Sequence, residues 1–363
     1  MQSELLISRK ALASNIDFFR GKATSSFMCP MVKANAYGVG DSLIVGELLS
    51  LGVDTFGVAR VSEGQRLRRL FPQEEFKILV FAPICASQIS DYITSELTPV
   101  IGCKEDLKSL SELSTDEENI LGGVHVKFDL GMTRLGFDLS EAAEVNSFFN
   151  NTKIKVLGIC GHFSQADKII SSNSKDMEGL NNLLELSTVF GLRQEQVHAP
   201  NSAALSLGSF EVGSRPGLSL YGLSDDEDVV KNLEPVLSLK APLVHIRKVK
   251  AGTRVSYGGL WESKEDTVIG VLLIGYADGL PRGLSGKIDL GHEGVSFTQV
   301  GAICMDYTMV DLGPKNSLKI GQQLTFFGEE HRPRALSEWA SSLGCITYEL
   351  LVGLGDRLKR RIV

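Results

Sequence analysis

Eight short apolar runs, each followed by an amphipathic stretch, fill the first two thirds of this 363-residue chain. The runs cover residues 29–33, 55–60, 77–82, 97–101, 123–128, 155–162, 196–200 and 211–215. Between them lie segments such as DSLIVGELLSLG, SEGQRLRRLF, SQISDYITS and EDLKSLSELS. Their apolar residues recur at spacings of three and four, as a helix packed on a sheet requires. Eight alternating β–α units predict an α/β chain built as a (β/α)8 TIM-type barrel. A doubly wound open sheet is the rival.

The pattern changes after Gly222. SDDEDVVKN is acidic and polar, and reads as a linker or exposed connection. Beyond it come LVHIRKV, TRVSY, TVIGVLLIGYA, SFTQVGAICM, YTMVDLG and QLTFFG, separated by Gly, Pro and Asn signals. One helix is expected near residues 334–342. The division is therefore a barrel over residues 1–228 and a mostly-β domain over residues 229–363.

Composition removes several function classes. Hydrophobic residues make up 43% and charged residues 22%, which excludes a disordered or fibrous chain. The net charge of −7 offers no footprint for nucleic acid. Lys359, Arg360 and Arg361 make LKRRIV locally basic, and a solvated segment is expected there. Six cysteines at wide spacing, with no CxxC pair, read as buried reduced thiols in a reducing compartment. MQSELLISRK, with Glu4, is no secretory signal, and no stretch approaches the ~20 apolar residues of a membrane helix. The expectation is a soluble cytoplasmic protein with no membrane partner.

In a barrel the chemistry gathers at the C-terminal ends of the strands. Lys33 ends the first run, and Lys127 and Arg134 stand in KFDLGMTRLG. His162 follows the sixth run in GHFSQAD. His198, Asn201 and Ser202 lie in HAPNSAA, and Arg215 and Gly217 in SRPGLSLYG. Lys33 could form a Schiff base if desolvated or near another cation. Ser202 and the amides of Gly217 and Leu218 could seat a phosphate, since glycine permits close backbone approach. Tyr37 could bond the same anion. A lysine beside a phosphate seat suggests pyridoxal phosphate.

VKANAYGVG around Lys33 resembles the pyridoxal-lysine motif of the alanine racemases. The resemblance runs almost end to end, through KFDLGMTRLG, GHFSQAD, NSAA, RPGLSLYG, LEPVLSLKA, VSYGG, IGYADGLPR, GAICMD and ITYEL. It implies a pyridoxal-phosphate-dependent homodimer that interconverts L- and D-alanine, with D-alanine feeding peptidoglycan. It also implies that the first few residues add a strand to the second domain. By the same resemblance Lys33 holds the cofactor and is the base on one face. Tyr257, from the other subunit, is the base on the opposite face. His162 contacts Tyr257 or the cofactor ring, and Arg215 faces the pyridine nitrogen. Tyr37, Ser202, Gly217, Leu218 and Tyr348 hold the phosphate. Arg134 and the backbone of Met305 from the partner hold the substrate carboxylate. Lys127 matches a lysine carbamylated in many members; a plain cation is the alternative. Tyr276 and Arg282 line the access passage, with Asp306 near it. No metal is implied.

Racemisation takes a proton from one face and returns one to the other, so two bases are expected. A free tyrosine, with a pKa of ~10, needs a cationic or hydrogen-bonding neighbourhood to serve as a base. The sequence offers His162 and Arg215 for it. Arg215 keeps its proton at any working pH, so opposite the pyridine nitrogen it leaves that nitrogen unprotonated. One residue departs from the family pattern: Ala302 stands where an arginine commonly precedes ICMD. Losing that cation is expected to open the access passage and relax alanine selectivity. A broad-specificity racemase is therefore the alternative enzyme. A non-catalytic pyridoxal-phosphate carrier is the alternative from another class, although it needs neither a second domain nor VSYGG.

Overall fold

The computed structural model describes residues 1–23, 25–166, 174–332 and 335–363. The first strand, β1 (Glu4–Ile7), leads into helix Arg9–Lys22, whose start is capped by Ser8 Oγ accepting from the Ala11 N–H at 3.3 Å. Seven parallel strands then form one sheet in chain order: β2 (Thr55–Val58), β3 (Lys77–Val80), β4 (Thr98–Ile101), β5 (Gly123–Lys127), β6 (Lys155–Cys160), β7 (Val197–Asn201) and β8 (Gly213–Arg215). Every residue of β2 and β5 is buried, as a sheet covered by helices and filled by its own side chains demands.

The eighth expected strand is irregular, but it closes the barrel. Residues 27–32 run between β8 and β2, with the Cys29 N–H on Ser214 O (2.8 Å) and the Val32 N–H on Gly57 O (2.9 Å). Met28 bridges Ser214, and Met31 bridges Gly57, both in parallel. Pro30 has no N–H to give, so the ladder is broken there.

The later strands are β9 (Leu237–Val249), β10 (Arg254–Val255), β11 (Trp261–Glu262), β12 (Thr267–Leu272), β13 (Asp289–His292), β14 (Val295–Gln299), β15 (Thr308–Asp311), β16 (Gln323–Phe327) and β17 (Lys359–Ile362). The order β12-β15-β14-β13-β16-β9 closes on itself through a β12–β9 pairing, and β1 and β17 extend it. β1 lies antiparallel to β9 and parallel to β17, so the first strand does serve the second domain.

Four expectations change. LKRRIV is not a solvated segment: it forms β17, with Arg360 half-buried. The acidic connection packs as well as connects, since Val229 and Val230 are buried and the Asp225 carboxylate accepts the Thr347 N–H at 2.9 Å. That contact starts a second late helix, Thr347–Val352, after the expected one at Ala335–Leu343. Arg334, where the expected helix was to begin, and Asp167 of GHFSQAD lie outside the described residues. All six cysteines are free, but only Cys29 and Cys160 are buried. Among the described residues no helix is long and apolar enough to cross a membrane.

Candidate active site

A cavity of about 560 Å³ opens at the C-terminal ends of the barrel strands. Lys33, Tyr37, Lys127, Arg134, His162, Ser202, Arg215, Gly217, Leu218 and Tyr348 all line it. Four of them are cations and none of the lining residues is a carboxylate, so the walls suit an anionic ligand.

Lys33 stands at the start of an unusual turn. Ala34, Asn35, Ala36 and Tyr37 have φ between 52° and 59°, a left-handed turn with no glycine in it. Such residues cost about 1–2 kcal/mol each, so the turn persists only because its surroundings hold it. The Tyr221 hydroxyl donates to Ala36 O at 2.9 Å from beneath. Burial, then the nearby Arg134, pull the Lys33 pKa below that of an ordinary lysine. A larger neutral fraction follows, which favours nucleophilic and base chemistry.

The phosphate seat has the right parts. The Gly217 N–H donates to Ser202 Oγ at 2.6 Å. A Cβ on Gly217 would overlap the Tyr37 phenol, with Tyr37 Cζ at 3.1 Å. The Tyr37 and Tyr348 rings lie 6.0 Å apart.

Arg215 is buried and meets no carboxylate among the described residues. Its guanidinium donates to Gly161 O, to His198 O at 2.5 Å and to His198 Nδ1 at 2.5 Å. Arginine has no acceptor, so His198 Nδ1 must accept and its proton sits on Nε2. His198 Nε2 then donates to His125 Nδ1, 2.8 Å away. Arg215, His198 and His125 thus form a chain, because β7 and β8 are neighbours and His198 points into the barrel interior. His162 lines the cavity beside it. Burial, then the Arg215 charge, push its pKa down to about 3, so its imidazole is neutral.

Arg134 and Met132 reach the cavity on a loop folded around one carboxylate. Asp129 accepts the N–H groups of Gly131, Met132 and Thr133 at 2.9–3.2 Å. Within KFDLGMTRLG the signal for this turn is Asp129, an acid two residues before Gly131. Lys127 is buried, and burial lowers its pKa.

Tyr257, Tyr276, Arg282, Met305 and Asp306 do not line this cavity. Tyr257 sits between β10 and β11, 71% exposed, near Leu260 at 70%. Ser256 Oγ donates to Ala302 O at 2.7 Å, tying Tyr257 to the loop that carries Met305. The Met305 carbonyl accepts the Ala277 N–H at 3.0 Å, while its own N–H has no hydrogen-bond partner among the described residues. Asp306 pairs with Arg357 at 2.8 Å, and Arg357 also pairs with Asp278. Ala302 is fully buried within the chain.

Comparison with known proteins decides the family. Residues 7–225 match the alanine racemase N-terminal domain, and residues 236–362 the alanine racemase C-terminal domain. This chain belongs to the alanine racemase family. It is 35% identical over 342 residues to the alanine racemase of Desulforamulus reducens, covering 91% of this chain and 90% of that one. The alanine racemase structure from Clostridium difficile 630 superposes with a TM-score of 0.86 at 28% identity, covering 100% of this chain and 96% of that chain. The Bartonella henselae alanine racemase, with covalently bound pyridoxal phosphate, superposes at 0.85 with 25% identity and complete coverage of both chains.

As an alanine racemase, the chain is a pyridoxal-phosphate-dependent isomerase that interconverts L- and D-alanine. Its own donors fit the cofactor: a desolvated lysine, a glycine whose missing Cβ leaves room beside Ser202 and Tyr37, and a buried guanidinium with no carboxylate partner among the described residues. Sequence reasoning missed Ile346 on the cavity wall, as well as Met132 and Leu135. Isolated apolar residues in loops carry no signal of that kind.

Proposed function

We propose that this alanine racemase works as a homodimer whose two bases come from different chains. The observation that carries the reading is the separation of Lys33, inside the cavity, from Tyr257, exposed on the second domain of the same chain. A second copy covering Tyr257, Leu260 and Met305 would remove apolar surface from water and bring a phenol to an open cavity. The division near residues 228/229 belongs to the same reading, the first part supplying most of the cavity and the second its Ile346–Tyr348 wall and the neighbour's lid.

Bound pyridoxal phosphate supplies the electron sink that makes the α-proton of alanine removable. The chain does the rest. Ser202, the Gly217 and Leu218 amides, Tyr37 and Tyr348 hold the phosphate. Arg215, fixed by His198, presents a permanent charge to the ring nitrogen. Arg134 and the free Met305 N–H of the second copy hold the carboxylate. Lys127 orients Arg134, as a carbamate or a free amine, which intact mass distinguishes. Lys33 Nζ takes and returns the proton on one face, and Tyr257 Oη does so on the other. His162, neutral, stands near that phenol. Tyr276, Arg282 and Asp306 border the way in, and Tyr348 beside Ile346 keeps the side-chain pocket small. The setting is the cytoplasm, with D-alanine delivered to peptidoglycan.

The test incubates pure holoenzyme with a panel of L-amino acids in D2O, following chirality and α-deuteration together. Alanine should lose chirality fastest. Comparable rates for long side chains would favour a broad-specificity racemase.

A further inference from the structure

The left-handed turn after Lys33 is gripped at both ends by opposite charges drawn from distant parts of the chain. At its start, Glu63 Oε1 accepts the Ala34 N–H at 2.7 Å. The other oxygen of the same carboxylate accepts the N–H groups of Ala59 (2.8 Å) and Arg60 (3.0 Å), at the end of β2. Ala59 is itself on the cavity wall. At the far end, Arg360 donates to Gly38 O through Nε (3.0 Å) and Nη2 (2.8 Å). Its remaining bonds go to the carbonyls of Leu354, Gly355 and Leu358, at 3.1–3.2 Å. Gly38 fits because a side chain there would overlap the Leu351 carbonyl.

We propose that Glu63 and Arg360 are positioning residues for Lys33, clamping the turn so that the cofactor lysine stays seated at the cavity wall. The proposal rests on the reading that Lys33 holds the cofactor. Four consecutive left-handed residues without glycine have no intrinsic reason to persist, so the bonds at the ends of the turn matter more than their number suggests. Both are charge-assisted, one carboxylate on N–H groups and one guanidinium on carbonyls, and such bonds are roughly twice as strong as neutral ones. Lysine cannot replace Arg360, because an ammonium lacks the planar fork that reaches several carbonyls together. The second clamp comes from β17, a strand of the C-terminal sheet. The second domain therefore holds the lysine of the first.

The experiment uses holoenzyme carrying Glu63→Gln or Arg360→Lys, with Arg361→Lys as the control. Among the described residues, the Arg361 side chain pairs with Glu4 alone, at 3.6 Å. Hydrogen exchange over residues 33–40 should speed at least about tenfold in both clamp variants, as should release of pyridoxal phosphate into buffer. Their kcat should fall while the KM for alanine moves less than about threefold, the signature of a displaced reacting group rather than a lost binding contact. Arg361→Lys should match the parent in every respect. A folded Glu63→Gln protein with parental exchange and parental cofactor release overturns the proposal. That variant changes no side-chain volume, and it decides the matter alone if Arg360→Lys does not fold. If borohydride reduction of the parent marks a lysine other than Lys33, the reading of Lys33 falls, while the exchange measurement still tests the clamp.

Discussion

Gly217 and Tyr37 touch so closely that a methyl group on the glycine would overlap the phenol. With φ at −138°, Gly217 is not there for a left-handed conformation. It is there for space, in a wall where Tyr37 is buried. Gly217→Ala should therefore overpack the site, lowering stability by about 1–3 kcal/mol. It should also weaken pyridoxal phosphate binding, read by equilibrium dialysis. Adding Tyr37→Phe, which removes the crowded oxygen, should recover stability in a melting experiment without recovering cofactor affinity. Recovery of both would mean that Tyr37 Oη does not serve the phosphate.

Lys33→Ala should lose the covalent attachment of the cofactor and with it racemase turnover, by more than the ~10²–10⁴-fold of an ordinary general base. Borohydride reduction followed by peptide mapping checks this directly. A reduced adduct on another lysine in the mutant would displace Lys33 from its role.

Tyr257→Phe should slow racemisation in both directions by about 10²–10⁴-fold, since the equilibrium between mirror images is fixed. The half-reactions need not fall together. Single-turnover exchange of the α-proton into D2O should persist for D-alanine, where Lys33 abstracts, and collapse for L-alanine. Equal loss from both enantiomers would make Tyr257 structural. Equal retention would turn attention to His162.

Mixing Lys33→Ala with Tyr257→Phe subunits should restore part of the activity that each lacks alone, because a hybrid dimer contains one intact site. Subunit exchange is verified first by native mass spectrometry of tagged chains. No gain in a verified hybrid would mean that each site is complete within one chain.

Three buried histidines predict acid sensitivity. Burial comes first among the causes that push His125 and His162 down to about 3, and it holds His198 well below its ordinary value. Each stays neutral when folded but takes a proton when unfolded below about pH 6.5. The unfolded state then binds more protons, so stability is complete above that pH and declines as pH falls toward 3. The slope approaches about 1.4 kcal/mol per pH unit for each histidine. Melting temperatures should hold from pH 7.5 to about 6.5 and then fall steadily to pH 5. A flat profile would mean that these imidazoles are protonated inside the fold.

The barrel was legible because its strands recur as short, mostly apolar runs between amphipathic helices, and the run before β2 kept its place although Pro30 broke its ladder. The ring of the second domain was legible as strands but not as a closed order, which depends on β9 pairing with β1, β12 and β16 along its length. Rim residues were legible from their position after each run. The left-handed turn was not, because alanine and tyrosine give no sign of positive φ. Nor were Glu63, Arg360 and the His198–His125 chain, since each bond joins residues that only the folded barrel brings together. Arg360 looked like a solvated cation because its acceptors are backbone carbonyls, which carry no sequence signature.

The pairing of β1 with β17 also sets an order in time. Glu4 faces Lys359 across that ladder, so β1 leaves the ribosome and waits for a strand some 355 residues later. At ~5–20 residues per second the wait is on the order of twenty to seventy seconds. During it Leu5 and Ile7, which the native fold buries completely, have no finished sheet to enter. A nascent chain stopped short of β17 would hold Lys33 and the whole barrel sheet, but neither Arg360 nor the far edge of β1. Translation itself thus withholds the finished site until β17 has been made.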